Sequence, residues 1–163
     1  MPVELVCDFG PREILLREGR ADAALLHLPH HDLAGLDTQD LLTETQLLVM
    51  PRSHRLAGRT RVCRNDFAGE PLPRWPGAAE DGSHGPDIHD LGQLLHLIAL
   101  GRMVAVLPAS IRGQLRDDLV AVPVDDAEPT TLVLAWPEHA TSPALAAFVR
   151  AAVAVAGCDN QPR

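Results

Sequence analysis

Four side chains able to bind a metal ion fall within the stretch HGPDIHD: His84, Asp87, His89 and Asp90. Imidazole and carboxylate groups are ligands for zinc and nickel, so a small metal-dependent enzyme is one hypothesis. The spacing lacks the regular pattern of a zinc motif, and we therefore expect no metal. The alternatives are a polar loop that caps a helix, or a helix N-terminus at which His89 and Asp90 meet an anionic ligand.

Further histidines follow a predicted strand in the stretch HLPHH. Ligands bind at the carboxyl ends of strands in open α/β sheets, and loops at such places often carry function. His27 and His30 are therefore predicted to contact a ligand, and the alternative is that both are exposed loop residues. The same argument applies to Asp8 and Phe9, which end an earlier predicted strand.

Trp75 stands between two prolines in the stretch LPRWPG, inside a segment rich in Gly and Pro that covers residues 69–87. A lone Trp in such a loop either forms the wall of a binding site or anchors the loop by packing. We keep Trp75 as a predicted ligand contact. Trp136 ends another predicted strand and is predicted to belong to the core.

Motifs of common catalytic and nucleotide-binding sites are missing from the sequence. No serine lies in a GxSxG context, and there is no P-loop, no dinucleotide-binding glycine motif and no HExxH. Adjacent carboxylates such as Asp117 and Asp118 are expected on surface turns, as solvated charge and not as an acid–base pair. The sequence therefore predicts a protein that is not an enzyme and needs no cofactor.

Composition limits the remaining classes. The chain has 163 residues, of which 46% are apolar and 3% aromatic, enough for one domain or two small lobes with a core of Leu, Val and Ala. A net charge of −8 without a basic patch argues against direct binding to DNA. The three dispersed cysteines, Cys7, Cys63 and Cys158, are expected to be reduced thiols in the cytoplasm. Neither a secretion signal nor a membrane-spanning apolar run is recognisable.

The predicted elements alternate between strands and helices. Apolar and β-branched runs predict strands at residues 3–7, 22–26, 46–50, 104–107, 118–124 and 130–136. Helices are predicted over PREILLREG, ending at Gly19; from about Ile88 to Gly101, capped by Asp87; and from Pro143 to Gly157. The stretch HLPHHDLAGLDTQDL is predicted to be a loop.

This alternation implies an α/β fold with a parallel or mixed sheet. The first strand, helix and strand form a predicted βαβ unit, whose two strands should be parallel. Residues 104–107 are predicted to be a buried strand of a parallel sheet.

Four segments, in this order, carry a resemblance to a known family: REILLREGRADAALL, GLDTQDLLTETQLLVMPRSHRLAG, DLGQLLHLIALGRMVAVLPASIR and TTLVLAWPEHATSPALAAFVRAA. Together they resemble the effector-binding part of a LysR-type transcriptional regulator, over roughly residues 3–155. The resemblance implies two α/β lobes like those of type II periplasmic solute-binding proteins, with mixed, mostly parallel sheets. It also implies a small-molecule effector bound in the cleft between the lobes.

By this resemblance, lobe one comprises residues 1–52 and 128–157, lobe two comprises residues 53–127, and residues 158–163 form a frayed tail. The first strand and helix of lobe one, and the helix-turn-helix of the family, are expected to be missing. The chain alone should then contact no DNA and no membrane, and a cytoplasmic homodimer is expected. Many members have a second glycine in the turn where this chain has Met103. Met103 is also one of the predicted effector-binding residues.

Two other functions stay open at this point. One is a stand-alone cytosolic module that binds a small molecule without a role at DNA, and the other is the metal-dependent enzyme built on HGPDIHD. Within the favoured hypothesis, few aromatic residues and several His and Arg predict a small anionic or polar effector.

Overall fold

The computed structural model describes residues 3–7, 10–75 and 84–159, and strands and helices alternate along that part of the chain. The strands are β1 (Ala24–Leu28), β2 (Leu36–Glu44), β3 (Gln46–Pro51), β4 (Ala105–Pro108), β5 (Leu119–Pro123) and β6 (Thr130–Pro137). The helices are α1 (Glu13–Arg17), α2 (Leu91–Ala99) and α3 (Pro143–Asp159). The predicted α/β class is confirmed.

The chain divides into two compact units. The first unit combines residues up to 43 with residues from 130 onward, and the second unit consists of residues 44–129. The chain therefore leaves the first unit once, forms the second, and returns once.

The first unit holds a three-stranded sheet of order β1-β6-β2. β1 and β6 pair antiparallel, with Leu26 opposite Val133, and both side chains are fully buried. Leu16 of α1 packs against this pair. α1 ends as predicted because Gly19 adopts φ +67°, a left-handed conformation that glycine reaches without a steric cost.

The second unit holds a three-stranded sheet of order β4-β3-β5. All six residues of β3 are buried, and Leu48 at its centre lies opposite Val106 of β4 and Val122 of β5. Phe67 and Val104 complete the core around it. A strand covered on both edges and both faces can be apolar throughout, which explains why QLLVMP shows no alternation.

The prediction of mostly parallel sheets is wrong for the registered strand pairs. β1 with β6, β3 with β4 and β3 with β5 are all antiparallel, and parallel pairing occurs at two isolated bridges, Val62 with Val124 and Arg74 with Asp87. The prediction paired strands that follow one another along the sequence. In the structure, the paired strands come from segments that are far apart in the sequence. The alternation of strands and helices along the chain does not determine whether such distant strands run parallel or antiparallel.

The strand predicted at residues 3–7, and with it the first βαβ unit, is wrong. These residues form no strand and are exposed, with Leu5 at 83%. A strand needs a partner for its backbone N–H and C=O groups, and no described strand pairs with this segment. The composition suits a strand, but none of the described strands supplies a partner for it.

β2 is a strand that the sequence analysis missed within its predicted loop. Its first half, LDTQD, is polar and follows Gly35, which adopts φ +75°. Pairing with β6 holds β2 in the sheet. Tertiary pairing here overrides a weak local preference.

The cap of α2 is Asp90 and not Asp87, so the helix begins at Leu91 and not near Ile88. The Asp90 carboxylate accepts a hydrogen bond from the Gln93 N–H at 2.8 Å, and Asp90 has the extended backbone of an N-cap residue. Asp87 is held elsewhere, in a bridge and an ion pair with Arg74.

The remaining predicted elements are confirmed, and each of their ends lies within two residues of the predicted position. One of them, α3, is longer than predicted. The strands at 22–26, 46–50, 104–107, 118–124 and 130–136 correspond to β1, β3, β4, β5 and β6. α3 starts at Pro143 as predicted but runs past Gly157 to Asp159, because Gly157 does not take a positive φ. None of the helices in the described ranges is long and apolar enough to cross a membrane.

Candidate functional site

His27 and His30 are brought together in the first unit by the turn that ends β1. His27 lies in β1 opposite Leu132 and is half-buried, while His30 is exposed. The backbone N–H of His30 donates to the His27 carbonyl oxygen at 3.0 Å, which closes the turn. The two predicted residues are therefore neighbours at the end of an edge strand.

His30 is favoured in its neutral form. Partial desolvation of the ring, and then the nearby His31, lower the pKa of His30 below its ordinary value. At neutral pH its imidazole can both donate and accept a hydrogen bond. It thus presents polar groups and not a positive charge.

His31, which sequence reasoning left out, connects this turn to α1. Its Nδ1 lies 2.7 Å from Glu13 Oε2, and its Nε2 lies 3.4 Å from an Arg12 guanidinium nitrogen. A guanidinium only donates, so Nε2 accepts and Nδ1 carries the proton that is donated to Glu13. Both His31 and Glu13 side chains are only 11% exposed. The repeated histidines after a strand draw attention to this loop in the sequence, but they do not indicate which imidazole is buried.

Arg17 of α1 fixes the rest of this loop. Its guanidinium donates to the Asp32 carboxylate at 2.9 Å and to the Ala34 carbonyl oxygen at 3.1 Å. The Asp32 carboxylate also accepts from the Ala34 N–H at 3.0 Å. That backbone hydrogen bond, followed by the Arg17 charge, lowers the pKa of Asp32 although dehydration opposes the shift. The loop after β1 is therefore held against α1 at two points, His31 and Arg17.

A short parallel bridge between Arg74 and Asp87 joins the segment that ends at Trp75 to the segment that contains His89 in the second unit. Arg74 N–H donates to the Pro86 carbonyl oxygen at 3.0 Å, and Ile88 N–H donates to the Arg74 carbonyl oxygen at 3.1 Å. Trp75 follows this bridge on one segment, and His89 follows it on the other. Trp75 is half-buried, whereas His89 is exposed.

The charges beside these two residues are already compensated. Arg74 and Asp87 form a two-point ion pair, with Nε to Oδ1 and Nη2 to Oδ2 both at 3.0 Å. Both side chains are more than half exposed, and such surface ion pairs add little to the free energy of unfolding. The main effect of this pair is to keep the two segments in register.

The N-terminus of α2 is occupied by the chain's own side chains. Asp90 accepts from the Gln93 N–H, and the Gln93 side chain accepts from the His89 N–H at 2.8 Å. Because these donors are used and the cap is a carboxylate, the arrangement does not favour an anion at this helix end.

Met103 is a buried residue, 2% exposed, and so has little surface to offer a ligand. It precedes Val104, whose N–H donates to the Pro71 carbonyl oxygen at 3.1 Å. The backbone beside Met103 is thus joined to the segment that leads to Trp75. Asp8 and Phe9, the other two predicted contacts, lie outside the described residues.

The four residues of HGPDIHD do not converge. Asp87 pairs with Arg74 and Asp90 caps α2, while His84 and His89 are exposed. In the part of the chain that the structure describes, no group of three or more His, Cys, Asp or Glu could hold a metal ion.

Cys63 is exposed and surrounded by acidic side chains. Dehydration, followed by the charges of Asp126, Asp66 and Asp125, raises the pKa of its thiol. The Cys63 N–H donates to the Asp66 carboxylate at 2.8 Å, at the start of the 3-10 helix Arg64–Phe67. Such surroundings lower the thiolate fraction and so make the thiol less reactive.

Trp136 lines a groove of about 340 Å³ in the first unit. The other lining residues come from the turn after β6 and from the start of α3: Ala140, Thr141, Ser142, Pro143, Leu145, Ala146 and Val149. Trp136 is half-buried, so the prediction that it belongs to the core is only partly met.

Two α/β units with open sheets, the second inserted into the first, define a domain of the periplasmic-binding-protein-like class. The family described as "LysR substrate binding domain" matches residues 10–157. The chain belongs to this family, in which such domains bind the effectors of transcription regulators.

Solved structures agree with this assignment. The OxyR regulatory domain of Pseudomonas aeruginosa, as a mutant, is 21% identical; the match covers 89% of this chain and 76% of that one, with a TM-score of 0.70. The oxidized form of OxyR is 26% identical over 91% and 77%, with a TM-score of 0.69. The BenM effector-binding domain with its effector benzoate is 20% identical over 93% and 77%, with a TM-score of 0.69. The comparison with curated proteins gives no match.

Proposed function

We propose that this chain is the sensing part of a transcription regulator and binds a small polar organic molecule. The observation that carries the proposal is the family match, because it runs through both units from residue 10 to residue 157. We further propose that the two units correspond to the two lobes of the family, with residues 44–52 belonging to lobe two.

The proposed effector contacts are the residues that the sequence singled out. In the first unit these are His27 and His30, with Asp8 and Phe9 retained as proposals. In the second unit they are Trp75, His89 and Met103, of which Met103 is buried and would offer a ligand little surface. His31 supports the proposal, because its bonds to Glu13 and Arg12 hold the turn that carries His30.

The local charges favour a polar effector recognised by hydrogen bonds. His30 is favoured as neutral imidazole, and Arg74 is paired with Asp87. Trp75 adds a flat apolar surface suited to a small organic molecule. Benzoate, the effector in the BenM structure, is of this general kind, and small organic acids are therefore among the compounds to test.

Sensing of oxidants through Cys63 is not part of the proposal, although OxyR has the same fold. The carboxylates around Cys63 raise the pKa of its thiol, whereas a reactive sensor thiol needs a lowered one. We also propose that the chain is not an enzyme, acts in the cytoplasm, and responds to its effector by a shift between two arrangements. A DNA-binding domain attached to it would report that shift.

The proposal is tested with binding by variants of the predicted contacts. After a binder is found among organic acids and amino acids, its affinity is measured by isothermal titration for the native chain, His30→Ala and Trp75→Ala. We expect each variant to lose about tenfold or more in affinity, equal to about 1.4 kcal/mol. The control is His139→Ala, an exposed histidine in the turn after β6. Equal affinity for all four proteins would refute these contacts.

A further inference from the structure

The groove beside Trp136 is large enough for a small molecule. It has a volume of about 340 Å³ and is formed by the end of β6, the turn that follows and the start of α3. Pockets for small ligands begin at about 300 Å³, and a cavity of about 150 Å³ already accommodates benzene. The groove therefore has room for one aromatic ring with a short substituent.

The walls of the groove are held in place by the fold. Trp136 belongs to β6, the central strand of the first sheet, and directly follows Ala135, which is fully buried. The Ala140 N–H donates to the Pro137 carbonyl oxygen at 2.9 Å in the turn that leads to α3. Leu145 is the buried member of the lining, at 8% exposure. A groove that is already formed lowers the entropic cost of binding a ligand.

The lining of the groove is apolar and uncharged. None of the eight described residues that form it is Asp, Glu, Lys, Arg or His, and six of them have apolar side chains. The indole of Trp136 is half-buried and offers a flat surface to an aromatic ring. The other two residues, Thr141 and Ser142, are exposed and have hydroxyls that can donate and accept hydrogen bonds. An aromatic ring that carries one hydroxyl group matches this combination.

A carboxylate matches the groove less well. The chain has a net charge of −8, and the lining supplies no cation to compensate an anion. At the start of α3, the Leu145 and Ala146 N–H groups already donate to Ser142, at 3.5 Å to its Oγ and at 3.1 Å to its carbonyl oxygen. Because an anion that loses water without gaining a partner is strongly disfavoured, the charges of the lining favour an uncharged ligand.

We propose that this groove is a second binding site, which takes small uncharged aromatic alcohols. The proposed effector contacts His27, His30, Trp75 and His89 are not among the residues that line it. The inference therefore goes beyond effector binding, and it can be tested whether or not an effector is found.

Benzyl alcohol and benzoate are a matched pair of probes, because they share a ring and differ in charge. The chain has two tryptophans and hence two indole N–H signals in its NMR spectrum, and Trp75→Phe identifies the signal of Trp136. Titration of the full chain with benzyl alcohol should shift the Trp136 signal until it saturates, with a dissociation constant of about 1 mM. Benzoate should bind at Trp136 about fivefold or more weakly, because its charge has no partner there.

A variant that fills the groove tests its position. Ala146→Leu places a larger side chain among the lining residues and should weaken the binding of benzyl alcohol about tenfold or more. Ala147→Leu is the matched control, because Ala147 is the next residue of α3, is also exposed and does not line the groove. Both variants should keep the melting temperature of the native chain, since both positions are exposed.

Several results overturn the proposal. These are a Trp136 signal that does not respond to benzyl alcohol, benzoate that binds there as tightly, Ala146→Leu that binds like the native chain, and Ala147→Leu that loses binding equally. A Trp136 signal that shifts on dilution of the ligand-free chain overturns it as well, because a second copy then covers the groove. So does a shift confined to Trp75, because the alcohol then binds at a proposed effector contact.

Discussion

His31 donates a hydrogen bond from Nδ1 to the Glu13 carboxylate across 2.7 Å, and so ties the loop after β1 to α1. Glu13 is 8% exposed, and such a charge must be paired within the protein. The contact decides the position of the turn that carries His27 and His30.

Loss of this contact should destabilise the first unit. His31→Ala leaves the Glu13 carboxylate without its nearest donor, and we expect a loss of about 1–3 kcal/mol in the free energy of unfolding. Urea denaturation measures it. Glu18→Gln is the control, because Glu18 pairs with Arg20 at the surface and should change stability little. Equal effects of the two variants would contradict the structural role of His31.

Stability should decrease on acidification because of His30. Its pKa is lowered in the folded protein, so the unfolded chain takes up a proton first, near the ordinary value of about 6.5. The contribution of His30 is therefore fully present above that pH and is lost as the pH falls toward the lower folded pKa.

The measurement is the urea midpoint at a series of pH values from neutral to mildly acidic. His30→Ala should show a shallower decline than the native chain over this window, whereas His139→Ala should follow the native curve. Identical slopes for the native chain and His30→Ala would show that the imidazole is not desolvated.

Gly85 should not tolerate a side chain. A Cβ at this position would lie 2.0 Å from the Leu72 carbonyl oxygen, and backbone cannot move aside cheaply. Gly85→Ala should cost about 1–3 kcal/mol in the free energy of unfolding, because it separates the segments that carry Trp75 and His89. Gly58→Ala, which meets nothing within 4 Å, is the matched control. A stable Gly85→Ala would mean that this close approach is not present.

Cys63 should react slowly with iodoacetamide at neutral pH. Its thiolate is disfavoured by dehydration and by neighbouring carboxylates, so removing one charge with Asp126→Asn should increase the rate about twofold or more. Asp117→Asn, which does not contribute to the shift, should leave the rate unchanged. Alkylation of peptides containing Cys63, followed by mass spectrometry, separates this thiol from the others.

The sequence predicted the elements whose formation depends on a local pattern. It did not predict the elements whose formation depends on pairing with a distant strand. β3 could be predicted because it is a continuous apolar run, and α3 could be predicted because Ser-Pro marks the start of a helix. Both signals are local. β2 was missed since its polar residues belong to the sheet only through pairing with β6. Residues 3–7 show the converse, because a suitable composition without a partner gave no strand.

The candidate site could be predicted only in part for a similar reason. The position of His27 and His30 after a strand was visible in the sequence, and so was Trp75 in a segment rich in proline. The burial of His31 beside Glu13 depends on residues eighteen positions apart. The bridge between Arg74 and Asp87, which joins the segments that carry Trp75 and His89, depends on residues thirteen positions apart. Such contacts have no local signature.

The central claim is that this chain binds a small polar organic effector, and thermal unfolding in the presence of candidate compounds tests it most directly. A ligand that binds only the folded chain raises its melting temperature, by a few degrees at concentrations about 100-fold above the dissociation constant. We predict a concentration-dependent rise with at least one organic acid or amino acid, reduced in Trp75→Ala and retained in His139→Ala. A broad panel of such compounds that leaves the melting temperature of the native chain unchanged would contradict the claim.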